Sequence, residues 1–154
     1  MDLSEVLHFS PQAFVIPGNP SSDEYLVPVS GGADSSALAI LLKELAPDIP
    51  FRYVFTDTGA EEQETLEMLD RLERWLGRPI ERLKSRGLFE LIEDYNGFLP
   101  SPRDRWCTRE LKLVPFRNWM AQFAGKTKWM FVGIRADEQS RLAFTLPETE
   151  TIMP

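Results

Sequence analysis

The residues best suited to chemistry stand in a short glycine-rich segment. Residues 30–36 read SGGADSS, between an apolar run and a strongly helical pattern. Two adjacent glycines permit positive φ angles and let the backbone approach a ligand closely. The N–H groups of such a turn and of the helix that follows form an anion site. The segment predicts phosphate binding by Ser30, Gly31, Gly32, Asp34, Ser35 and Ser36.

Two familiar phosphate-binding patterns are excluded for this segment. No Gly-Lys-Ser/Thr follows it, so it is not a Walker A loop, and its glycine spacing is not that of a dinucleotide fingerprint. The alternative without a ligand is a serine-rich helix cap. Asp34 either caps the helix or helps to hold Mg²⁺ once phosphate is bound.

The cysteine content limits the redox chemistry open to this chain. Cys107 is the single cysteine, which excludes an intrachain disulfide and any iron–sulfur cluster or four-thiolate zinc held by this chain alone. Its neighbours Arg103, Arg105 and Arg109 favour a thiolate nucleophile. The alternative is an inert cysteine packed beside Trp106.

Alternating strand and helix patterns must position these residues. The apolar runs predict strands at Tyr25–Val29, Phe51–Thr56, Pro79–Leu83 and Trp129–Ile134, with a further short strand at Ala13–Ile16. The periodic segments predict helices at Ala37–Ala46, Glu62–Leu76, Leu88–Asp94 and Thr108–Phe123, the last restarted at Pro115.

This alternation predicts an α/β fold with a parallel sheet and helices on both faces. Ligands of such sheets bind beyond the carboxyl ends of the strands. The segments to examine for function are therefore residues 30–36, 56–59 and 135–141.

Four segments in order resemble one known family. SGGADS resembles the pyrophosphate-binding PP-loop of the adenine nucleotide alpha hydrolase superfamily, and FTDTG at 55–59, followed by Glu64-Thr65, resembles the second-strand motif of phosphoadenosine phosphosulfate (PAPS) reductase-like proteins. Cys107 with Lys112 and Pro115 is similar to a third family segment. GIRADE at 133–138, with Ser140 and Arg141, is similar to a fourth.

The resemblance implies a Rossmann-like sheet in the order 3-2-1-4 and an adenine nucleotide ligand, ATP or PAPS. It places the phosphates on residues 30–36 and the adenosine side at Thr56, Asp57, Thr58 and Gly59. Arg135 and Arg141 would face the phosphate or sulfate end. An Arg fork suits either anion, and Lys112 is a candidate to neutralise the α-phosphate or leaving group, although it could equally be a solvated helix lysine. The candidate catalytic residues are Arg135, Lys112 and Cys107.

Length and charge set the remaining expectations. We expect residues 1–154 to form a single PP-loop nucleotide-binding domain whose C-terminus is shortened relative to the family, without the cysteine of its redox tail. Nine Lys and Arg against six Asp and Glu give residues 101–154 a charge of +3, and residues 1–100 carry −10. The total of −7 argues against non-specific nucleic-acid binding. No apolar run is long enough for a membrane span, and no secretory signal is visible, which predicts a cytoplasmic chain.

These features leave three functions open. The first is an adenylating ATP pyrophosphatase, whose relatives include enzymes that insert sulfur into nucleic acids; nucleic acid would then be a substrate only. The second is a PAPS enzyme that takes its thiol from elsewhere, because a self-sufficient reductase lacks its cysteine here. The third is a non-catalytic nucleotide-binding subunit or sensor, completed by a partner protein or by a homo-oligomer.

Overall fold

The computed structural model describes residues 15–101, 103–134 and 150–152. The strands are β1 (Glu24–Pro28), β2 (Phe51–Asp57), β3 (Ile80–Lys84), β4 (Lys128–Phe131) and β5 (Glu150–Ile152). The helices are α1 (Ala33–Leu45), α2 (Gln63–Leu76), α3 (Leu88–Asp94), α4 (Trp106–Thr108) and α5 (Val114–Met120). A π-helical turn, Arg109–Leu113, joins α4 to α5, and a 3₁₀ turn, Ala121–Phe123, follows α5.

The strands form one parallel sheet in the order β3-β2-β1-β4-β5. This confirms the predicted order 3-2-1-4 and adds β5, which the sequence patterns did not predict. Tyr25 of β1 is opposite Phe51 on one side and Trp129 on the other. Because all strands run the same way, β1, β2 and β4 end at one edge of the sheet.

Helices cover both faces of the sheet, as predicted. The larger core joins alternate residues of β1 and β2 to the apolar stripes of α1 and α2, with Tyr25, Val27, Tyr53, Leu42 and Leu69 almost fully buried. The smaller core lies on the opposite face and joins Leu26, Val54 and Met130 to Phe116 and Met120 of α5. Successive side chains of β1 and β2 point to opposite faces of the sheet, so each strand contributes residues to both cores.

The helix after the glycine-rich segment begins earlier than predicted. α1 begins at Ala33, four residues before the predicted Ala37, because small and polar residues fit a first helical turn. Asp34, Ser35 and Ser36 therefore lie in the first turn of the helix.

The structure does not contain the predicted strand at Ala13–Ile16 in the part of that range that it describes. Residues 15 and 16 are not in a strand, and residues 13 and 14 are outside the described part of the chain. In the described ranges, no helix has both the length and the apolar character needed to cross a membrane.

Candidate functional site

The turn between β1 and α1, residues 30–36, is called the glycine turn below. Gly31 has φ +75°, and a Cβ there would lie 2.8 Å from Thr65 Cγ2 of α2. Glycine is required at this position both by the backbone conformation and by the contact with α2. Thr65, which belongs to the second-strand motif but was not predicted as a site residue, thus shapes the turn.

Two serine hydroxyls hold the glycine turn in place. Ser35 Oγ accepts a hydrogen bond from the Ser30 N–H at 3.1 Å and lies 3.1 Å from Ser30 Oγ. It also donates to the Gly32 carbonyl at 3.3 Å. Ser30 and Ser35 therefore stabilise the conformation in which the turn enters α1.

The N-terminus of α1 is open to solvent. Gly32, the N-cap residue, has extended backbone angles and no side chain to cap the helix, and Ser30, Gly32 and Asp34 are exposed. The first N–H groups of a helix have no carbonyl partner within the helix and carry partial positive charge. This end of α1 can therefore accept an anion. Ser36 is buried, and its Oγ has no hydrogen-bond partner among the described residues.

A second turn, residues 57–61, follows β2 and is called the β2 turn. The Gly59 N–H donates to Asp57 Oδ1 at 2.8 Å, and Gly59 has φ +73°. Thr58 donates from its hydroxyl to Glu61 Oε1 at 2.7 Å and from its N–H to Glu61 Oε2 at 3.1 Å. Thr56 precedes this turn in β2. Glu61 was not predicted as a site residue.

The environment of Glu61 favours its charged form. Burial acts to raise the pKa of Glu61, but the hydrogen bonds that the Thr58 side chain and backbone donate to it outweigh this effect. The net effect is a lowered pKa, so Glu61 is a carboxylate at neutral pH.

The segment after β3 fixes the β2 turn from the other side. Ser85 donates to the Asp57 carbonyl from its N–H at 3.2 Å and from its hydroxyl at 3.1 Å. The Leu88 N–H donates to the Thr58 carbonyl at 2.8 Å. The β2 turn is therefore tied to β3 and α3.

Gly133 brings the segment after β4 against α1. A Cβ at Gly133 would lie 2.9 Å from the Asp34 carbonyl oxygen, so only glycine permits this approach. The predicted site residues Arg135 and Arg141 lie outside the described residues. Gly133 precedes Arg135 by two positions in the sequence.

Cys107 and Lys112 lie in the helical segment before α5. Cys107 is half-buried and packs against the small cluster of Leu91, Trp106 and Leu111, as the alternative of an inert cysteine requires. Lys112 is exposed in the π-helical turn, which contacts β2. π-helical turns are frequent at functional sites.

Three tryptophans, a residue type whose ring can stack on adenine, have structural contacts instead. Trp119 Nε1 donates to Glu81 at 2.7 Å, and Trp129 Nε1 donates to Asp23 at 2.9 Å. Trp106 is buried and stacks on Tyr95 with ring centroids 4.8 Å apart. These contacts favour packing roles.

A groove of about 800 Å³ opens beside the carboxyl end of β3. Its lining includes Lys84, Ser85, Tyr95, Glu110 and Asn118. Ser85 also bonds to Asp57, so the groove adjoins the β2 turn. Among the described residues, no group of three or more His, Cys, Asp or Glu side chains is arranged to hold a metal ion, and Mg²⁺ binding by Asp34 stays a prediction.

A family comparison agrees with this arrangement. Residues 24–148 match the model of the phosphoadenosine phosphosulfate reductase domain. The chain belongs to this family. The match spans both turns and the segment that contains Arg135 and Arg141.

Two curated relatives and one solved structure are similar to this family member. The chain is 33% identical over 135 residues to the adenosine 5'-phosphosulfate reductase of Allochromatium vinosum, covering 83% of this chain and 49% of that protein. It is 38% identical over 114 residues to an uncharacterised protein of Methanocaldococcus jannaschii, covering 73% of this chain and 23% of that protein. The family member thus spans half or less of these relatives.

The solved structure supports the fold. The PAPS reductase of Candida auris, crystallised as a phosphate complex, aligns with a TM-score of 0.61 at 15% identity. The alignment covers 100% of this chain and 72% of that one. At this identity the likeness shows a shared fold.

Proposed function

We propose that this domain binds an adenine nucleotide, ATP or a sulfonucleotide such as PAPS, with its phosphates on the glycine turn. The observation that carries the proposal is the open N-terminus of α1, preceded by a turn that Ser30 and Ser35 hold in place. Such an N-terminus attracts phosphate through the N–H groups of its first turn and through the helix dipole.

The other candidate residues take the roles that the family resemblance implies for them. The adenosine side faces Thr56, Asp57, Thr58 and Gly59, at the end of the strand next to β1. Arg135, Arg141 and Lys112 neutralise the phosphate or sulfate end. Asp34, in the first turn of α1, ligates Mg²⁺ carried by the nucleotide.

The reaction we propose takes place at the α-phosphate or at the sulfate. With ATP, an acceptor oxygen attacks the α-phosphate and pyrophosphate leaves. With a sulfonucleotide, a thiolate from another molecule attacks the sulfur of the sulfate, the bond from that sulfur to the oxygen shared with the phosphate breaks, and the nucleotide leaves with its phosphate. The thiol is assigned to another molecule because Cys107 is half-buried in an apolar cluster. The reductase of Allochromatium vinosum supports the sulfonucleotide version. The groove beside β3 provides space for the second substrate.

The second candidate is a non-catalytic nucleotide-binding subunit or sensor, completed by a partner protein or by a second copy. The packing of the single cysteine favours it, since a thiol packed against Leu91 and Trp106 is less accessible as a nucleophile. In this version the nucleotide binds at the same turn but is not turned over. Both versions place the domain in the cytoplasm.

Thermal unfolding with added nucleotides tests the proposal. A ligand at 100 times its Kd stabilises the folded state by about 2.7 kcal/mol. For a chain of this size, that raises Tm by roughly 5–10 °C. We expect this rise with ATP plus Mg²⁺, or with PAPS and adenosine 3',5'-bisphosphate. No change with any of them would contradict the proposal, and turnover assays with the ligand that binds separate the enzyme from the sensor.

A further inference from the structure

The Thr58 hydroxyl is committed to one carboxylate. Its proton points to Glu61 Oε1 across 2.7 Å, and the Thr58 N–H meets the same carboxylate at 3.2 and 3.1 Å. An ionised carboxylate only accepts hydrogen bonds, so the hydroxyl must be the donor in this pair. The lone pairs of Thr58 Oγ1 then remain, and they can only accept.

The backbone around this hydroxyl is also fixed. The Thr58 carbonyl accepts from the Leu88 N–H at 2.8 Å, and the Gly59 N–H donates to Asp57. Thr58 is half-buried and cannot move freely, because its N–H, carbonyl and hydroxyl are all engaged. A hydroxyl held in this way can only accept a hydrogen bond from a ligand.

We propose that Glu61 acts as a positioning residue for base specificity: it fixes Thr58 Oγ1 as an acceptor for the exocyclic amine of adenine. The inference rests on the proposed function, in which the end of β2 faces the nucleoside. A fixed acceptor distinguishes two ligand groups only when each of them can act solely as a hydrogen-bond donor or solely as an acceptor. The amine at position 6 of adenine always donates, whereas ribose hydroxyls donate or accept as required.

Hypoxanthine is the base that this acceptor should disfavour. It has a carbonyl at position 6 in place of the amine, so its oxygen would face the lone pairs of Thr58. The site therefore prefers adenine over hypoxanthine nucleotides. One neutral hydrogen bond in a half-buried site corresponds to roughly 3- to 10-fold in affinity.

Glu61→Gln separates this role from a purely structural one. The amide oxygen of Gln can still accept the Thr58 N–H, while its NH₂ group donates to Thr58 Oγ1. The turn keeps its hydrogen bonds, but the hydroxyl proton is released toward the ligand. The variant is expected to lose the preference for adenine or to favour hypoxanthine.

The experiment measures Kd by calorimetry for two matched pairs: ATP and ITP with Mg²⁺, and adenosine and inosine 3',5'-bisphosphate. Wild type, Glu61→Gln and Thr58→Val are compared with Glu62→Gln, which makes the same charge change at an exposed neighbour. We expect wild type and Glu62→Gln to prefer the adenine ligand by roughly 3- to 10-fold. Glu61→Gln and Thr58→Val should lose that preference.

Three results would overturn the inference. One is a Glu61→Gln protein that keeps the wild-type preference or weakens both members of a pair equally. Another is discrimination that persists in Thr58→Val, which also decides the matter if Glu61→Gln does not fold. The third is a wild type that binds both members of a pair equally, which leaves the proposed nucleotide function intact. A wild type that binds no adenine nucleotide would overturn the proposed function as well.

Discussion

The two adjacent glycines of the glycine turn differ in what an added side chain would disturb. Gly31 combines a positive φ with a close contact to Thr65, so a side chain there strains the fold itself. Gly32 has an ordinary extended φ of −78°, and a Cβ there meets only Ser30 Oγ at 3.4 Å. Substitution at Gly32 therefore probes the space above the turn, whereas substitution at Gly31 probes folding.

The types of the residues in the sequence were enough to predict one part of the candidate site, the glycine turn. The run of glycine and serine before an apolar helix was sufficient to predict the glycine turn, because anion-binding turns need little beyond backbone N–H groups. Glu61 was missed, and Thr65 was named only as part of the second-strand motif, without a role in the turn. Their contacts depend on the direction in which the chain leaves β2, which no local residue pattern specifies.

Cys107→Ser tests the role of the single cysteine. We expect unchanged nucleotide affinity and a loss of about 1 kcal/mol in unfolding free energy, because a hydroxyl replaces a thiol beside Leu91 and Trp106. Denaturant unfolding and calorimetric titration measure the two quantities. If turnover disappears while affinity and stability are retained, Cys107 is a nucleophile and the packing role is wrong.

At the scale of elements, the pattern predicted the strands and helices well but placed some boundaries wrongly. The bounds of Leu88–Asp94 are confirmed, and α2 begins one residue later than predicted. α1 was predicted to begin too late because polar residues are common to loops and to first helical turns. The π-helical turn was not predicted. It lies directly before α5, whose second residue, Pro115, has no N–H to donate to the preceding turn.

Gly133→Ala tests the contact between the segment after β4 and α1. The new methyl group would lie 2.9 Å from the Asp34 carbonyl oxygen, and the neighbouring atoms are backbone. We expect a loss of roughly 1–3 kcal/mol in unfolding free energy, together with weaker nucleotide binding, since the first turn of α1 must shift.

Gly77→Ala is the matched control for this prediction. Gly77 ends α2 in the left-handed conformation with open space around it, so alanine there costs about 1 kcal/mol without touching α1. Its nucleotide affinity should equal that of the wild type. Wild-type affinity in Gly133→Ala would show that this contact does not shape the site.

At the scale of the whole molecule, the order of the strands assembles the site. The order 3-2-1-4 places the ends of β2 and β4 on either side of β1, so the two turns and Gly133 lie at one edge. This arrangement could be predicted, because alternating strands and helices and the family resemblance both indicate it. β5 could not be predicted, since Glu150–Ile152 is three residues long and has no strand periodicity.

A charged network lies at the opposite end of the sheet and contributes to the stability of the whole domain. Glu24 is buried at the start of β1 and pairs with Lys126 and with Arg52, the latter at 2.9 Å. Burial acts to raise the pKa of Glu24, but the hydrogen bonds from Lys126 and Arg52 outweigh it and lower the pKa. The stability from this group is therefore present above the ordinary carboxyl pKa and is lost as pH falls through the lowered folded value.

Glu24→Gln should lower the unfolding free energy at pH 7 by roughly 1.5–3 kcal/mol, because charged hydrogen bonds are lost. It should also remove part of the acid dependence of stability below about pH 4.5. Urea unfolding across a pH series measures both. Glu44→Gln, at an exposed helix position, is the control and should change stability by less than about 0.5 kcal/mol. Equal stability and acid dependence in Glu24→Gln and wild type would contradict the role given to this network.

The rise in Tm on adding nucleotide, compared between wild type and Gly32→Val, is the sharpest test of phosphate binding at the glycine turn. Valine at Gly32 has an allowed backbone conformation and fills only the space above the glycine turn. We expect the Tm of wild type and of an exposed-turn control, Ser21→Val, to rise by roughly 5–10 °C with saturating nucleotide. Gly32→Val should fold with a similar starting Tm and show no rise. A full rise in folded Gly32→Val would contradict phosphate binding at this turn.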